Sequence, residues 1–201
     1  MLKFKDHKNV FFIVLLVGSL LIASPLLISL YPSPTSEQFS EFYILDSNRM
    51  TDNLPFHIKE GLNYTISLGI DNHRGVPSYY LIRVKLRTRN ESLTTSTNII
   101  PSSLATIVEY RIFLDKDGIL EKPLIFSMQN LSFQDNYCLV QTLLIDGLKY
   151  DVEKKVAWDQ EYAGYFVEFF FELWLFDGNN NTFSFNNRWL GLWLSILPTE
   201  S

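Results

Sequence analysis

The sequence predicts an all-β outer domain, an antiparallel β-sandwich of immunoglobulin-like kind, preceded by one N-terminal transmembrane helix. Three observations carry that prediction. They are an apolar run of 22 residues from Val10 to Tyr31, a series of segments in which apolar and polar residues alternate with period two, and Asp-Gly pairs placed between those segments.

At about 1.5 Å per residue the Val10–Tyr31 run reaches about 33 Å, the thickness of a bilayer core. Lys3, Lys5 and Lys8 precede it and the next Lys or Arg is Arg49. That excess of positive charge places residues 1–9 in the cytoplasm and the chain after residue 31 outside the cell. A cleaved secretory signal is the rival reading, but such signals have an apolar stretch of about 7–15 residues ending at a small-x-small site. A cut after Ser24 would put Ile22 three positions back and Pro25 directly beyond it. A buried helix of a soluble domain fits less well, because the run has no polar stripe at helical period. Residues 32–40, rich in proline and serine, read as a stiff stalk, since proline forbids regular helix. Residues 41–201 are then the extracellular sandwich domain.

Within that domain, Tyr64–Ile70 puts Ile66, Leu68 and Ile70 on one face and Thr65 and Ser67 on the other, the pattern of a half-buried strand. Leu81–Arg89 repeats it, with Ile82, Val84 and Leu86 opposed to Arg83, Lys85, Arg87 and Arg89. Val108–Leu114 alternates in the same way, and Leu124–Met128 and Tyr137–Ile145 are strand-sized apolar segments between polar turns. Asp117-Gly118, Asp146-Gly147 and Asp177-Gly178 follow apolar segments and suit hairpin turns, because Asp and Gly accept positive φ. Phe166–Phe176 and Phe183–Ile196 are apolar on both faces and read as central strands carrying Trp174, Trp189 and Trp193. Asn90–Ser92 with Thr94–Thr97 forms a polar loop. About eight strands with no further helix signal make a sandwich.

Charge and composition exclude several functions. Without residues 1–31 the chain keeps 14 basic and 21 acidic side chains, a net of −7, which argues against nucleic acid as a partner. The single cysteine, Cys138, rules out an intrachain disulfide and lies in an apolar segment, where it reads as an inert buried thiol. His57 and His73 are the only imidazoles of the outer part, and neither lies in a nucleophile or zinc motif, so no catalytic residue, no metal site and no cofactor is expected. Glu168 and Glu172 share a strand face about 13 Å apart, too far along one strand to work as a pair, and are expected to face solvent. Asp115-Lys-Asp-Gly118 opens like a calcium loop but lacks the closing glutamate, Phe126 standing there, and reads as a hairpin.

Three sets of residues are candidates for interaction. Asn63, Asn90, Asn130 and Asn180 begin Asn-x-Ser/Thr sequons that an outward topology would expose to glycosylation, Asn90 and Asn180 in loops, Asn63 and Asn130 beside strands where they also suit turn caps. Arg83, Lys85, Arg87 and Arg89 form a basic stripe that would meet an anionic partner, unless cross-strand acids such as Glu109 neutralise it. Asn72, His73 and Arg74 lead into Gly75 as a turn that doubles as a possible recognition patch.

The stretch Glu41–Leu45, followed by Glu60–Leu86 with its Gly-Ile-Asp-Asn-His centre, resembles the outer domain of an archaeal membrane-protein family known as domain of unknown function 1616. Lys122-Pro-Leu-Ile-Phe126, Phe171–Asp177 and Trp189–Ser195 are similar in order. The resemblance implies a surface domain of an archaeon. Members of that family often carry several membrane helices before the domain, whereas this sequence shows one apolar run. Together these readings describe a single-pass cell-membrane protein held in the lipid bilayer through Val10–Tyr31. It would act as a non-catalytic binding, adhesion or scaffold module with a protein or glycan partner at the cell surface. The alternative is an accessory subunit of a membrane complex whose anchor packs on partner helices.

Overall fold

The structure, a computed structural model, describes residues 10–19, 38–92 and 100–198. The expected cytoplasmic segment 1–9, residues 20–31 of the expected span, residues 32–37 of the expected stalk and the loop residues Thr94–Thr97 lie outside the described residues. The chain falls into two units, Met1–Gln38 and Phe39–Ser201. In the first, residues 10–19 are helical, with apolar side chains from Val10 to Val17 exposed. Among the described residues no helix is long and apolar enough to cross a membrane.

The described residues of the second unit form ten strands: β1 Phe39–Leu45, β2 His57–Ile58, β3 Tyr64–His73, β4 Ser78–Thr88, β5 Thr106–Leu114, β6 Ile119–Gln134, β7 Tyr137–Ile145, β8 Leu148–Asp159, β9 Gly164–Asp177 and β10 Thr182–Ile196. The first sheet runs β1-β3-β6-β7-β8 and the second β5-β4-β9-β10-β2, every pairing antiparallel except β10 with β2. Strand β8 joins the two sheets: it pairs with β7 up to Ala157, and then Trp158 and Asp159 pair with Tyr165 and Gly164 of β9. The order β5-β4-β9-β10 and the β1-β3 pair match strands C′-C-F-G and A-B of an immunoglobulin sandwich. Beyond β3 the pattern gives way to a meander, β6, β7 and β8 following outward in chain order.

The alternations read in β3 and β4 are inner faces. Ile66, Leu68 and Ile70 of β3 and Ile82, Val84 and Leu86 of β4 are buried in one core with Leu124, Phe126 and Met128 of β6 and Val167, Phe169, Phe171 and Leu173 of β9. Phe126 of the first sheet meets Phe169 of the second edge-on, ring centroids 4.7 Å apart, the geometry aromatic pairs favour. Turn chemistry agrees at Asp146-Gly147, where both residues take positive φ (50° and 80°) between β7 and β8. In the β9–β10 turn the positive φ falls on Asn181 (50°) instead of Gly178.

Three elements differ from expectation. Strand β1 starts at Phe39, inside the expected stalk. Strand β6 is 16 residues long and turns into β7 through Asp135-Asn136. Strand β8 escaped the sequence reading because Lys154 stands at an inward position between Val152 and Val156, so the apolar pattern looks broken although burial alternates from Tyr150 to Val156; a bulge at Glu153, with φ 43°, shifts its register against β7 between Val140 and Thr142.

Because Phe169 is fully buried at the meeting of both sheets, Phe169→Ala is expected to destabilise the domain by about 3–5 kcal/mol. Chemical denaturation followed by tryptophan fluorescence measures it, and a loss under about 1 kcal/mol would contradict a shared inter-sheet core.

Candidate functional site

The second sheet turns an unusual face outward. Residues of β9 that point away from the core are Glu168, Phe170, Glu172, Trp174 and Phe176. Register sets them beside Arg87, Lys85, Arg83 and Leu81 on β4 and beside Trp193, Gly191, Trp189, Phe185 and Phe183 on β10. Strand β5 adds Glu109, Arg111 and Phe113. The face is therefore a chequerboard of aromatic, basic and acidic side chains across four strands.

The basic side chains of β4 and its end are paired with carboxylates, while Arg111 of β5 is exposed. Arg83 Nε lies 2.9 Å from Glu109 Oε1, Lys85 Nζ 2.9 Å from Glu172 Oε2, Arg87 Nε 2.5 Å from Glu168 Oε2, and Arg89 Nη1 2.9 Å from Asp159 Oδ2. The predicted basic stripe thus exists as a strand face but not as a free cationic patch. Aromatic rings flank the guanidiniums: Arg83 sits 4.0 Å from the Trp174 ring centroid, Arg87 5.1 Å from Trp193 and Arg89 4.1 Å from Tyr162.

Glu168 and Glu172, expected in solvent, are buried. The segment before β5 reaches Glu172 through Ser102. Lys85 Nζ donates to the carbonyl and hydroxyl of Ser102 as well as to Glu172, so all three ammonium hydrogens have acceptors, while the Ser102 N–H donates to Glu172 Oε1 at 2.6 Å and Trp174 Nε1 to Oε2 at 3.2 Å. Glu168 lies flat on Gly191, where any Cβ would overlap its carboxylate. Burial alone would raise the Glu172 carboxyl, but the Lys85 and Ser102 bonds outweigh it and hold it below its ordinary value. At Glu168 burial wins over Arg87, and the carboxyl is raised.

The predicted recognition turn divides. Asn72 is fully buried: its amide donates to the carbonyls of Val76 and Asp115 (2.9 and 2.8 Å), and its Oδ1 accepts from Tyr80 Oη and the Arg74 N–H (3.0 and 3.3 Å). It ties two turns together, and as a recognition residue it is corrected to a structural one. His73 instead points outward from the first sheet with Glu41 and Asp71. The three donor atoms lie within 4.8 Å of one another, a grouping invisible in the sequence because Glu41 comes from another strand. Asp115–Gly118 is the expected hairpin, with Gly118 N–H donating to Asp115 O. Cys138 is fully buried, and burial pushes its thiol up to about 12. His57 packs on Phe56, remote in pairing from His73. Asn63, Asn90, Asn130 and Asn180 are all exposed, Asn90 and Asn180 in turns and Asn130 within β6 with φ 54°.

No family model and no curated protein matches this chain. Among solved structures it is similar to the CARDB domain of a Pyrococcus furiosus protein in complex with di-metal ions, at 8% identity and TM-score 0.39, over 83% of this chain and 95% of that one. It is also similar to a β-glucosidase from Listeria innocua, at 12% identity and TM-score 0.36, where 83% of this chain covers 17% of the enzyme. A PapD-like domain of human CEP192 matches at 10% identity and TM-score 0.34, over 86% and 92% of the two chains. At these identities and scores nothing that those proteins bind or act on is carried over.

Two results are expected from the buried pairs. Lys85→Met alone strands the Glu172 charge and destabilises by about 3–5 kcal/mol, whereas Lys85→Met with Glu172→Leu recovers most of that loss; a double variant whose loss equals the sum of the two single losses would show that the pair is not coupled. With acid the signs diverge. Glu172 binds its proton more weakly in the folded chain, so its stabilisation is present above the ordinary value of 4.5 and drains away below it, while Glu168 has the opposite sign. From about pH 6 to about pH 3, denaturation midpoints should fall less steeply for Glu172→Gln than for the unaltered protein, and more steeply for Glu168→Gln.

Proposed function

We propose that the chain is a single-pass, cell-surface binding module that holds a protein partner on the outer face of its second sheet and carries out no chemistry. The observation that carries this reading is the aromatic content of that face: Phe113 is 65% and Trp189 50% exposed, and Tyr79, Trp174, Phe176, Phe183, Phe185 and Trp193 are partly exposed around them. Aromatic and arginine side chains are the types enriched where proteins meet, and a broad exposed apolar patch on a domain of this size marks an interaction surface. A protein suits it better than a glycan. Sugar hydroxyls need unspent donors and acceptors, and here Arg83, Lys85 and Arg87 are already committed to carboxylates.

The topology belongs to the same proposal. The 22-residue apolar run supports a bilayer anchor with the sandwich outside. The resemblance to domain of unknown function 1616 supports an archaeal envelope setting, and the four exposed sequons fit an outward domain.

A membrane-impermeant, lysine-directed cross-linker on intact host cells tests both parts. Lys59, Lys116, Lys149 and Lys155 are exposed and should react before lysis, with links to one defined protein. Phe113→Ser together with Trp189→Ser should abolish those links while shifting stability by no more than about 0.5 kcal/mol, as surface substitutions do. Lysines that react only after lysis would overturn the orientation. Links to an integral membrane protein in fixed stoichiometry would instead identify an accessory subunit.

A further inference from the structure

The first sheet turns a different chemistry outward. Antiparallel register places Glu41 of β1 directly opposite Asp71 of β3, and Phe39 opposite His73. Asp71 and His73 are two residues apart on one strand and share a face with Glu41 by the strand pleat. Their donor atoms lie within 4.8 Å of one another, and His73 Nε2 is 3.6 Å from Glu41 Oε1.

Two like charges set directly opposite on neighbouring strands are destabilising. The second sheet solves that problem by giving each of its buried carboxylates a lysine or arginine. Here the ion pairs among the described residues bring neither to Glu41 or Asp71: Arg49 goes to Glu121 and Lys122 to Asp146, leaving only the His73 imidazole. The three side chains are also oriented by their surroundings. Tyr43, its ring lying on Gly69, donates its hydroxyl to Asp71 Oδ1 at 2.9 Å, so Oδ2 is left to point elsewhere. The Phe39 ring packs on the His73 imidazole, centroids 4.8 Å apart. Outer-shell contacts of this sort hold metal ligands in position.

We propose that Glu41, Asp71 and His73 bind one divalent first-row transition-metal ion, with zinc as the probe. One imidazole nitrogen and two carboxylate oxygens suit zinc, manganese or cobalt better than calcium, which takes an all-oxygen shell. Metal–ligand bonds of about 2.0–2.2 Å set tetrahedral donors roughly 3.4 Å apart, so small side-chain rotations close the site without moving either strand. Three protein ligands leave outward positions for water. The assignment stands apart from the partner-binding reading, because it uses the other sheet.

The test is a zinc titration of the purified full-length chain, stripped with chelator beforehand, against a competing fluorescent chelator. One zinc per chain is expected. Glu41→Gln and His73→Ala should each weaken it at least about tenfold, the size that loss of even an outer-shell partner produces, and Glu109→Gln should leave it unchanged. Calcium in equal amount should not displace the zinc. Glu41 is half exposed, so its substitution is compatible with folding, and the answer does not hinge on the histidine variant. Absence of zinc binding, or affinity that survives both Glu41→Gln and His73→Ala, overturns the assignment.

Discussion

Strand β9 is buried on both faces, and much of the molecule follows from how that burial is satisfied. Its inner row, Val167, Phe169, Phe171 and Leu173, enters the common core; its outer row puts Glu168, Phe170 and Glu172 out of solvent too. Buried carboxylates must be paired and fully hydrogen-bonded. Strand β4, as the neighbour, must therefore present cations outward at matching positions while it presents Ile82, Val84 and Leu86 inward. Arg87 stands directly across from Glu168; Lys85 reaches diagonally to Glu172, which frees Arg83 for Glu109 on β5. A one-residue slip of β4 would turn its apolar set outward and its charges into the core. Charge and packing thus specify the same register, and the loop at Ser102 completes it by supplying the remaining donors and acceptors to Lys85 and Glu172.

Legibility in the sequence tracks how local each determinant is. The inner faces of β3 and β4 could be read because period two survives wherever a strand has one neighbour layer, and the two-sided apolarity of residues 166–176 announced a central strand. Asp146-Gly147 could be read because its positive φ values belong to the two residues themselves. Strand β8 could not: Lys154 occupies one of its inward positions and reaches Glu91, so the apolar alternation of Tyr150, Val152 and Val156 is interrupted in the sequence although not in the burial. The burial of Glu168 and Glu172 was equally out of reach, since Glu172 meets Ser102, some seventy residues earlier in the chain, and Glu168 lies between Arg87 of β4 and Gly191 of β10. Alternation places a side chain on a face but does not say what covers that face.

The same distinction explains the interaction residues. Arg83, Lys85, Arg87 and Arg89 were visible as a stripe, but their partners came from three other elements, so the sign of the surface could not be read from one strand. Asn72 was visible as a turn former, and its burial followed from the β5–β6 turn packing back on it. Glu41 was invisible as a companion of Asp71 and His73 because the β1–β3 register spans about thirty residues of chain.

The two outward faces therefore present opposite electrostatic conditions on one scaffold. On the second sheet every buried carboxylate faces a cation, and what remains exposed is aromatic surface together with the charges of Glu109 and Arg111 on β5. On the first sheet two carboxylates stand opposed with only an imidazole between them, a local excess of negative charge that a cation relieves. The core separates the faces, because the inner rows of both sheets pack on each other through Phe126 and Phe169. An ion on β1 and β3 and a protein on β4, β9 and β10 would occupy opposite sides of that core. Neither would exclude the other, and any coupling between them would have to pass through the packed aromatic layer, where side chains are held too closely to adjust independently.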